Sequence, residues 1–423
     1  MMAASFPAEG FVPALDDVFP APLFEGSEKR VELDFDMGPG ADPRGLRALP
    51  RSEVDALMDL AACTVVSVRS CAAFDAYVLS ESSLFIYADK FVLKTCGTTR
   101  LLSAAAPAAA AAEALGLRLR RVRYSRASFL FPEQQPALYQ DWDAEVAFLT
   151  ARFESLGDGP RSYVLGDARR GLQWHVFVAD RERSPSPASR RPGYSLEVCM
   201  TELGRAQADG FRRIFPGESA KECTERTGVR ALFPHADIDD YVFDPCGYSM
   251  NGLWKDGFCT IHVTPEPQAS YASCEASNWD PADLDVAGMV AGCAGVFLPG
   301  SLFVTLTTDA DGADAWEALP LTFPAPPGYR PDGVSLQTLG CGGRVAYLRF
   351  ALEDPSALAG SCPAAPRGIE RLIRDTNLGV PAPTEVPSRD TATPVYLPGE
   401  TRMQGWARRR CCLIHMLSCL TSP

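Results

Sequence analysis

The stretch YVLSESSLFIYADKFVL, residues 77–93, has three short apolar runs separated by the polar connections SESS and ADK. Short apolar runs joined by a few polar residues are typical of antiparallel strands with tight turns. We therefore predict a β-hairpin over residues 77–93, and packed short strands with turns throughout residues 54–99. In residues 260–264 polar and aliphatic residues alternate, which places His262 on one face of another strand.

Two other stretches have the composition or spacing of helices. Residues 101–119 are rich in alanine, the best helix former, and predict a helix in which Pro107 is tolerated only within the first turn. Residues 141–153 carry apolar side chains at helical spacing, which predicts a second helix. The runs 296–298 and 302–306, separated by a Pro-Gly turn, predict two further strands. No internal repeat is evident, and the mixture indicates α+β sheets covered by helices.

The composition excludes several classes of protein. The 423 residues include 40 basic and 53 acidic side chains, a net charge of −13, whereas a dedicated nucleic-acid binder needs a basic surface. Hydrophobic residues make up 46% and charged residues 22%, which excludes wholesale disorder and a membrane-spanning protein. No secretory signal is visible, so we expect the 14 cysteines to be free thiols in the cytosol. The four histidines lack metal-ligand spacing, so we expect no metal site.

Residues that could carry chemistry are concentrated in three places. These are FEGSEK at 24–29, SESS at 80–83 with KTCGTT at 94–99, and DPCGYSMNG at 244–252 with TIHVTPEP at 260–267. Attack by serine or cysteine needs a positioned base, which a histidine on a strand could supply. One interpretation from these residues alone is a hydrolase that uses Cys96 with His262, although no third residue that would orient the histidine is evident.

In their order and spacing these stretches resemble a known family. The matching strings are LFEGSEK (23–29), LPRSEVD (49–55), YVLSESSLF (77–85), LKTCGTT (93–99), DPCGYSMNG (244–252) and TIHVTPEP (260–267). Together they are similar to the eukaryotic-type S-adenosylmethionine decarboxylase proenzymes, in particular the plant and algal branch. The resemblance implies a four-layer α/β/β/α sandwich with two large antiparallel sheets. It implies a decarboxylase domain at 20–375, after an N-terminal extension at 1–19 and before a mostly disordered tail at 376–423.

The resemblance implies an enzyme that makes its own pyruvate-derived cofactor. The Ser82 hydroxyl would attack the Glu81 carbonyl, and the chain would split into 81 residues and 342 residues (423 minus 81), with Ser82 becoming a pyruvoyl group. The mature enzyme would decarboxylate S-adenosylmethionine to S-adenosylmethioninamine and CO2, and so supply aminopropyl groups for spermidine and spermine synthesis. A catalytically inactive regulatory paralogue is the alternative, but Ser82, Cys96 and His262, whose loss would mark it, are present.

The family's functional residues carry over by position. The implied catalytic residues are Ser82, Cys96, Glu25, Glu28, Ser249 and His262, and the implied substrate-binding residues are Phe24, Glu81, Phe243 and Glu266. His262 would remove the α-proton of Ser82, with help from Ser249. Cys96 would protonate the substrate carbon, since we expect its thiol to titrate near enough to neutrality. The two phenylalanines would stack on adenine, and the glutamate at 266 would bind the ribose hydroxyls.

The resemblance also implies a charged regulatory site. Its residues are Arg30, Glu32, Lys94, Arg123, Glu197 and Glu275. Animal members bind the activator putrescine there, but Arg30 and Arg123 stand here in place of apolar residues, and Gly193 in place of an anchoring aspartate. The guanidinium groups would supply the positive charge of the diamine, so we expect no activation by putrescine, as in plant members. We also expect a monomer rather than a homodimer, with no nucleic-acid or membrane partner.

Overall fold

The computed structural model describes residues 24–157, 159–181, 193–212, 217–244, 246–279, 283–309, 323–340 and 342–360. The strands of the first half are β1 (Lys29–Met37), β2 (Val65–Ser70), β3 (Phe74–Leu79), β4 (Ser82–Tyr87), β5 (Lys90–Thr95), β6 (Leu117–Ala127), β7 (Arg161–Leu165) and β8 (Trp174–Asp180). Those of the second half are β9 (Tyr194–Thr201), β10 (Asp237–Val242), β11 (Tyr248–Trp254), β12 (Gly257–Thr264), β13 (Tyr271–Ser277), β14 (Ser301–Thr308), β15 (Tyr329–Thr338) and β16 (Arg344–Leu352). The α-helices are α1 (Arg51–Ala61), α2 (Leu102–Ala114), α3 (Trp142–Phe153), α4 (Arg205–Asp209), α5 (Ala220–Thr227), α6 (Val229–Leu232) and α7 (Val286–Phe297).

The strands form two sheets that share one strand order. The first sheet has the order β2-β3-β4-β5-β1-β6-β8-β7, and the second has β10-β11-β12-β13-β9-β14-β16-β15. Neighbouring strands are antiparallel throughout both sheets. Adding eight to each strand number of the first sheet gives the second, so the fold repeats although the sequence shows no evident repeat.

Apolar packing arranges these elements in four layers. Helices α1 to α3 cover the outer face of the first sheet, and helices α4 to α7 cover the outer face of the second. The inner faces contact each other through aromatic rings at two places: Phe85 stacks on Phe258 with ring centroids 3.8 Å apart, and Trp174 lies 6.0 Å from Phe303. Strands β5, β1 and β6 lie between these contacts and carry buried charged side chains. The predicted α/β/β/α sandwich is confirmed, and the space between its sheets is called the interlayer below.

Two local predictions are confirmed. The hairpin over residues 77–93 corresponds to β3, β4 and β5, although its first turn is shorter than the SESS stretch because β4 begins at Ser82. The helix predicted at 141–153 is α3, and the Asp141 side chain caps its N-terminus.

Two local predictions are wrong, and a third is right about a helix but wrong about its end and about the place of Pro107. Residues 54–61 belong to α1 rather than to strands, and their buried positions recur at helical spacing. Residues 296–298 form the end of α7, since a short apolar run does not distinguish a strand from a buried helix. The helix predicted at 101–119 ends earlier, because the chain turns at Gly116 with φ of 82° and enters β6. Pro107 lies inside this helix, where the flanking alanines offset the one hydrogen bond that proline cannot donate.

Three further findings concern the ends of the chain and its general class. The predicted extension at 1–19 and the predicted disordered tail at 376–423 lie outside the described residues. The nine described cysteines are free thiols. None of the helices in the described ranges is long and apolar enough to cross a membrane.

Candidate active site

Ser82, the predicted cleavage residue, has a strained backbone at the start of β4. Its φ of 123° lies in the region that favours glycine, which costs a serine on the order of 1–3 kcal/mol. Ser83 pairs with Lys94 and faces the interlayer, so strand alternation would turn Ser82 the opposite way. The Ser82 hydroxyl nevertheless contacts the carboxylate of Glu28, which also contacts the second sheet. The positive φ thus brings two consecutive serine hydroxyls to one side of the sheet.

Glu28, which directly precedes β1, links Ser82 to His262 of the second sheet. Its Oε1 accepts a hydrogen bond from Ser82 Oγ at 3.2 Å and lies 2.5 Å from His262 Nδ1. Its Oε2 lies 3.2 Å from the ammonium group of Lys94. Burial by itself would raise the pKa of Glu28, but Lys94 and His262 outweigh it and lower the pKa to about 2. The carboxylate is therefore ionised at neutral pH and oriented from both sheets.

Hydroxyl groups surround the other ring nitrogen of His262. Its Nε2 lies 2.8 Å from Ser83 Oγ and 3.1 Å from Thr260 Oγ1. Ser83 Oγ in turn donates to Asn251 Oδ1 at 2.7 Å. Ser249 is buried and lies directly opposite His262 in the register of β11 and β12. The predicted strand position of His262 is confirmed, and the two strands give the imidazole polar neighbours on one face.

The carbonyl oxygen of Glu81, the predicted target of attack, is held by Cys96. The Cys96 amide donates to Glu81 O at 3.1 Å, and the thiol lies 3.7 Å from the same oxygen. Gly97 follows with φ of 60°, and a Cβ there would lie only 3.0 Å from the Phe24 ring, so the turn requires glycine. Burial raises the pKa of the Cys96 thiol above its ordinary value, and the Glu81 carboxylate adds to this shift. The thiol stays protonated at neutral pH, so the expectation that it titrates near neutrality is wrong.

Two predicted substrate-binding residues lie on the second half of the chain. Glu266 Oε2 is buried and has no hydrogen-bond partner among the described residues. A buried oxygen without a partner is costly, so this position suits a ligand that carries a hydroxyl group. Phe243 follows β10, is half-buried and packs edge-on against Tyr241 with ring centroids 4.8 Å apart.

Glu25 supports the turn at Cys96 rather than contacting the cleavage bond. Its Oε1 accepts from the Ser27 amide at 2.9 Å and its Oε2 from the Phe131 amide at 2.8 Å. Its backbone carbonyl accepts from the Gly97 amide at 2.9 Å. Across the described ranges no hydrogen bond joins the Glu25 side chain to Ser82.

Beside these residues the interlayer holds a group of buried charged side chains, here called the charge cluster. Its members are Arg30, Glu32, Lys94, Arg121, Arg123, Glu197 and Glu275. Arg30 lies 3.0 Å from Glu32 of its own sheet and 3.0 Å from Glu275 of the second sheet. Lys94 lies 3.2 Å from Glu197 and 3.1 Å from Glu275. The six predicted regulatory residues therefore meet, and Lys94 connects them to Glu28.

Pairing favours the charged forms of Glu32 and Lys94 although both are buried, whereas burial raises the pKa of Glu197. Burial opposes ionisation of Glu32, but nearby cations, foremost Arg123, hold its pKa well below the usual range. Burial likewise opposes the charge on Lys94, but three carboxylates hold its pKa well above the usual range. Arg121, which the sequence analysis missed, lies 2.7 Å from Asp34 and 3.3 Å from Glu32. Its place two residues before Arg123 on β6, and so on the same face, is the signal that could have found it.

A family model described as adenosylmethionine decarboxylase matches residues 21–351 of the chain. The matched range includes every site residue named above and all of both sheets except Leu352. The chain belongs to the adenosylmethionine decarboxylase family. Membership of this family confirms the predicted decarboxylase activity.

Relatives and a solved structure agree with this assignment. An S-adenosylmethionine decarboxylase proenzyme from Oryza sativa subsp. japonica is 41% identical over 372 residues, which cover 86% of this chain and 90% of the relative. One from Ipomoea nil is 41% identical over 330 residues, or 77% of this chain and 89% of the relative. A crystal structure of the Trypanosoma brucei AdoMetDC-delta26 monomer has a TM-score of 0.50 and 21% identity and covers 64% of this chain and 99% of that one. This likeness supports the fold.

For an adenosylmethionine decarboxylase the Cys/His hydrolase interpretation is wrong. Within the part of the chain that the structure describes, no hydrogen bond joins Cys96 to His262, and the protonated thiol is a poor nucleophile. The residue that orients His262, which the sequence analysis did not find, is Glu28. No group of three or more metal-ligating side chains occurs among the described residues.

The sequence analysis also missed four polar residues that support the site. They are Lys29, Ser83, Asn251 and Thr260, and each lies within or beside a string that was quoted for the family. Lys29 is buried and donates to Gly97 O at 2.8 Å, and burial lowers its pKa to about 8. Strand pairing, rather than any local pattern, brings these residues to the site.

Proposed function

We propose that the chain is a proenzyme that cleaves itself between Glu81 and Ser82, and that Ser82 becomes the pyruvoyl group for decarboxylation of S-adenosylmethionine. The observation that carries this proposal is the strained Ser82, with φ of 123° and its hydroxyl directed to Glu28. The Cys96 amide contacts the carbonyl of the same peptide bond. A nucleophile, an acceptor for its proton and a donor for an oxyanion thus surround one bond.

In the first step Ser82 Oγ attacks the carbonyl carbon of Glu81. The hydroxyl proton passes to Glu28 Oε1, 3.2 Å away, while charge develops on the oxygen that the Cys96 amide contacts at 3.1 Å. The C–N bond then breaks, the nitrogen of residue 82 takes up the proton and leaves as an amine, and an ester joins Glu81 to Ser82 Oγ. Release of the backbone strain at residue 82 favours this exchange.

In the second step His262, assisted by Ser249, removes the α-hydrogen of residue 82. The Cβ–Oγ bond breaks, and Glu81 leaves as the C-terminal carboxylate of the small chain. The CH2 carbon that remains takes up a proton to become a methyl group. One water molecule then replaces the nitrogen, which departs as ammonia, and residue 82 is a pyruvoyl group.

In the mature enzyme the pyruvoyl group supplies a carbonyl that accepts the electron pair left behind by CO2. Phe24 and Phe243 stack on the adenine, and Glu266, with its unpartnered Oε2, accepts hydrogen bonds from the ribose. Cys96 keeps its proton because burial raises its pKa, and it delivers that proton to the substrate carbon. The ionised Glu28 attracts the cationic sulfonium of the substrate.

Carbonyl chemistry tests the proposal. Purified protein should release labelled CO2 from carboxyl-labelled S-adenosylmethionine, and borohydride added with substrate should abolish the release and attach substrate to the large chain. Ser67→Ala is the control variant and should behave like the wild-type protein, because the hydroxyl that it removes contacts Asp239 at the edge of the sandwich. Full activity after borohydride treatment with substrate would contradict the proposal.

We further propose that this enzyme does not require putrescine. Arg30, within 3.0 Å of both Glu32 and Glu275, already gives the buried carboxylates a cationic partner. Gly193 stands where an anchoring aspartate would be, and the Asp309 carboxylate lies beside it, with Oδ2 accepting from the Gly193 amide at 2.9 Å. These two observations support a site whose positive charge is built into the chain.

We also propose a monomer that resides in the cytosol. The edge strand β15 contains Pro331 and has a register shift between Pro331 and Gly333, and both features hinder pairing with a second sheet. Free thiols at the described cysteines suit a reducing compartment. Light scattering during gel filtration and cell fractionation test these two points, and a dimer or an organellar protein would contradict them.

A further inference from the structure

The hydroxyl groups around His262 Nε2 determine which ring nitrogen carries a hydrogen. Thr260 has a single hydroxyl hydrogen, which it donates to Met250 O at 2.8 Å. The Thr260 oxygen can therefore only accept from His262 Nε2, 3.1 Å away. Ser83 donates its own hydrogen to Asn251 Oδ1 at 2.7 Å, and its oxygen lies 2.8 Å from the same Nε2. With Asn251 Oδ1 facing Ser83, two acceptors face one nitrogen, and this arrangement assigns the ring hydrogen to Nε2.

The opposite nitrogen, Nδ1, faces the carboxylate of Glu28. It lies 2.5 Å from Glu28 Oε1, the same oxygen that accepts the Ser82 hydroxyl. This separation is within the reach needed for direct proton transfer between the two groups. The ammonium group of Lys94 lies 3.2 Å from Glu28 Oε2. Because the Nε2 hydrogen is committed to the two hydroxyl groups, proton exchange with residue 82 falls to Nδ1 and Glu28.

We infer that Ser83 is a positioning residue for self-cleavage: it accepts from His262 Nε2 and so directs Nδ1, together with Glu28, toward residue 82. The inference rests on the proposed self-cleavage and deepens it. The pair receives the Ser82 hydroxyl proton during ester formation and returns it to the departing nitrogen. It then receives the α-hydrogen while the Cβ–Oγ bond breaks, and returns it to the CH2 carbon that becomes a methyl group. Ser83 forms no bond to a reacting atom in either step.

Loss of Ser83 should affect the two steps unequally. Ester formation needs Glu28 beside Ser82, and Glu28 keeps its contact with Lys94 when Ser83 is changed. Removal of the α-hydrogen needs an oriented imidazole, and the His262 ring would lose its shortest contact at Nε2. Uncut chains should therefore accumulate with an ester between residues 81 and 82.

Timed denaturing gels of freshly purified full-length chain test this inference, with and without hydroxylamine, which cleaves an ester but leaves a peptide bond intact. Ser83→Ala should slow spontaneous cleavage by roughly 10- to 100-fold, as expected when a buried donor such as Nε2 loses its nearest acceptor. Its uncut chain should split when hydroxylamine is added. Ser125→Ala, which removes a buried hydroxyl from β6 of the same sheet, should cleave at the wild-type rate.

A second pair of variants keeps the inference testable if Ser83→Ala does not fold. Thr260→Val keeps the shape of the side chain but removes the acceptor, so it should also accumulate ester, whereas Thr260→Ser should cleave normally. Wild-type cleavage rates in both Ser83→Ala and Thr260→Val would overturn the inference. So would uncut chains that resist hydroxylamine, because a purely structural role predicts that result. A wild-type chain that never cleaves would instead overturn the proposed function.

Discussion

The two sheets share one strand order, but their inner faces carry different chemistry. The first sheet contributes Ser82, the proposed nucleophile, and cations such as Lys94, whereas the second contributes His262 and carboxylates such as Glu275. Under the proposed mechanism neither face is a site alone, because Ser82 and His262 lie on opposite sheets. The repeated strand order determines which strands face each other across the interlayer. The different side chains on the two inner faces determine the proposed chemistry there. The following predictions test that division of roles, from the largest expected effect to the smallest.

Removal of the nucleophile from the first sheet should have the largest effect. Ser82→Ala should remain one chain of 423 residues without decarboxylase activity, because alanine has no hydroxyl to attack Glu81. A denaturing gel and an assay of CO2 release measure the two effects, with Ser67→Ala as the control. Two fragments from Ser82→Ala would show that another residue starts the cleavage.

Cys96 should separate cleavage from turnover. The backbone amide that contacts Glu81 O at 3.1 Å survives in Cys96→Ala, so the chain should still cleave. Decarboxylation should fall by about 10²- to 10⁴-fold, because the protonated thiol that delivers the proton is absent. Gels and steady-state kinetics measure both, and Cys71→Ala, which changes another partly exposed thiol, should leave turnover intact. Normal turnover combined with blocked cleavage in Cys96→Ala would contradict the proposal that the thiol acts in decarboxylation rather than in cleavage.

The ion pairs that cross the interlayer should be needed for stability. Arg30→Met removes the partner that lies 3.0 Å from both Glu32 and Glu275, and leaves two buried carboxylates with fewer cations. We expect a loss of about 3–5 kcal/mol in the free energy of unfolding. Arg51→Met breaks an exposed pair with Asp55 and should cost at most about 1 kcal/mol. Urea unfolding of both variants makes the comparison, and equal losses would contradict it.

Glu28 should make stability depend on acid pH. Its pKa falls from 4.5 to about 2 on folding, so the unfolded chain binds more protons between these values. The stabilisation is present above pH 4.5 and is lost as the pH falls toward 2, by about 3 kcal/mol in all. Urea midpoints from pH 2 to 6 measure this slope. Glu28→Gln should flatten it, and an unchanged slope would show that other carboxylates dominate.

Putrescine should have the smallest effect, namely none. The charge that a diamine would bring is already supplied by Arg30 and Lys94, which pair with the carboxylates of the second sheet. Cleavage rate and turnover measured across a putrescine titration should stay level. A several-fold rise in either would mean that the charge cluster is not complete without a ligand.

Sequence patterns located most of the reactive residues but not their geometry. The quoted strings contain Ser82 and His262, and residue alternation placed His262 on a strand, but Ser82 was assigned to the polar connection that precedes β4. The second arginine of the pair on β6, Arg121, was missed. The φ of 123° at Ser82 and the shared oxygen of Glu28 depend on two sheets that come together from distant parts of the sequence, and no local period encodes that contact. The error at Cys96 has the same origin, because burial of a thiol is a property of the packed fold. Strand and helix were confused at residues 296–298 because three apolar residues carry no period.

The most direct test of self-cleavage is a denaturing gel with intact mass measurement of the purified wild-type protein. The account predicts two fragments, residues 1–81 and a chain of 342 residues (423 minus 81) whose N-terminus is blocked by the pyruvoyl group. A single uncut chain in an active preparation would contradict it.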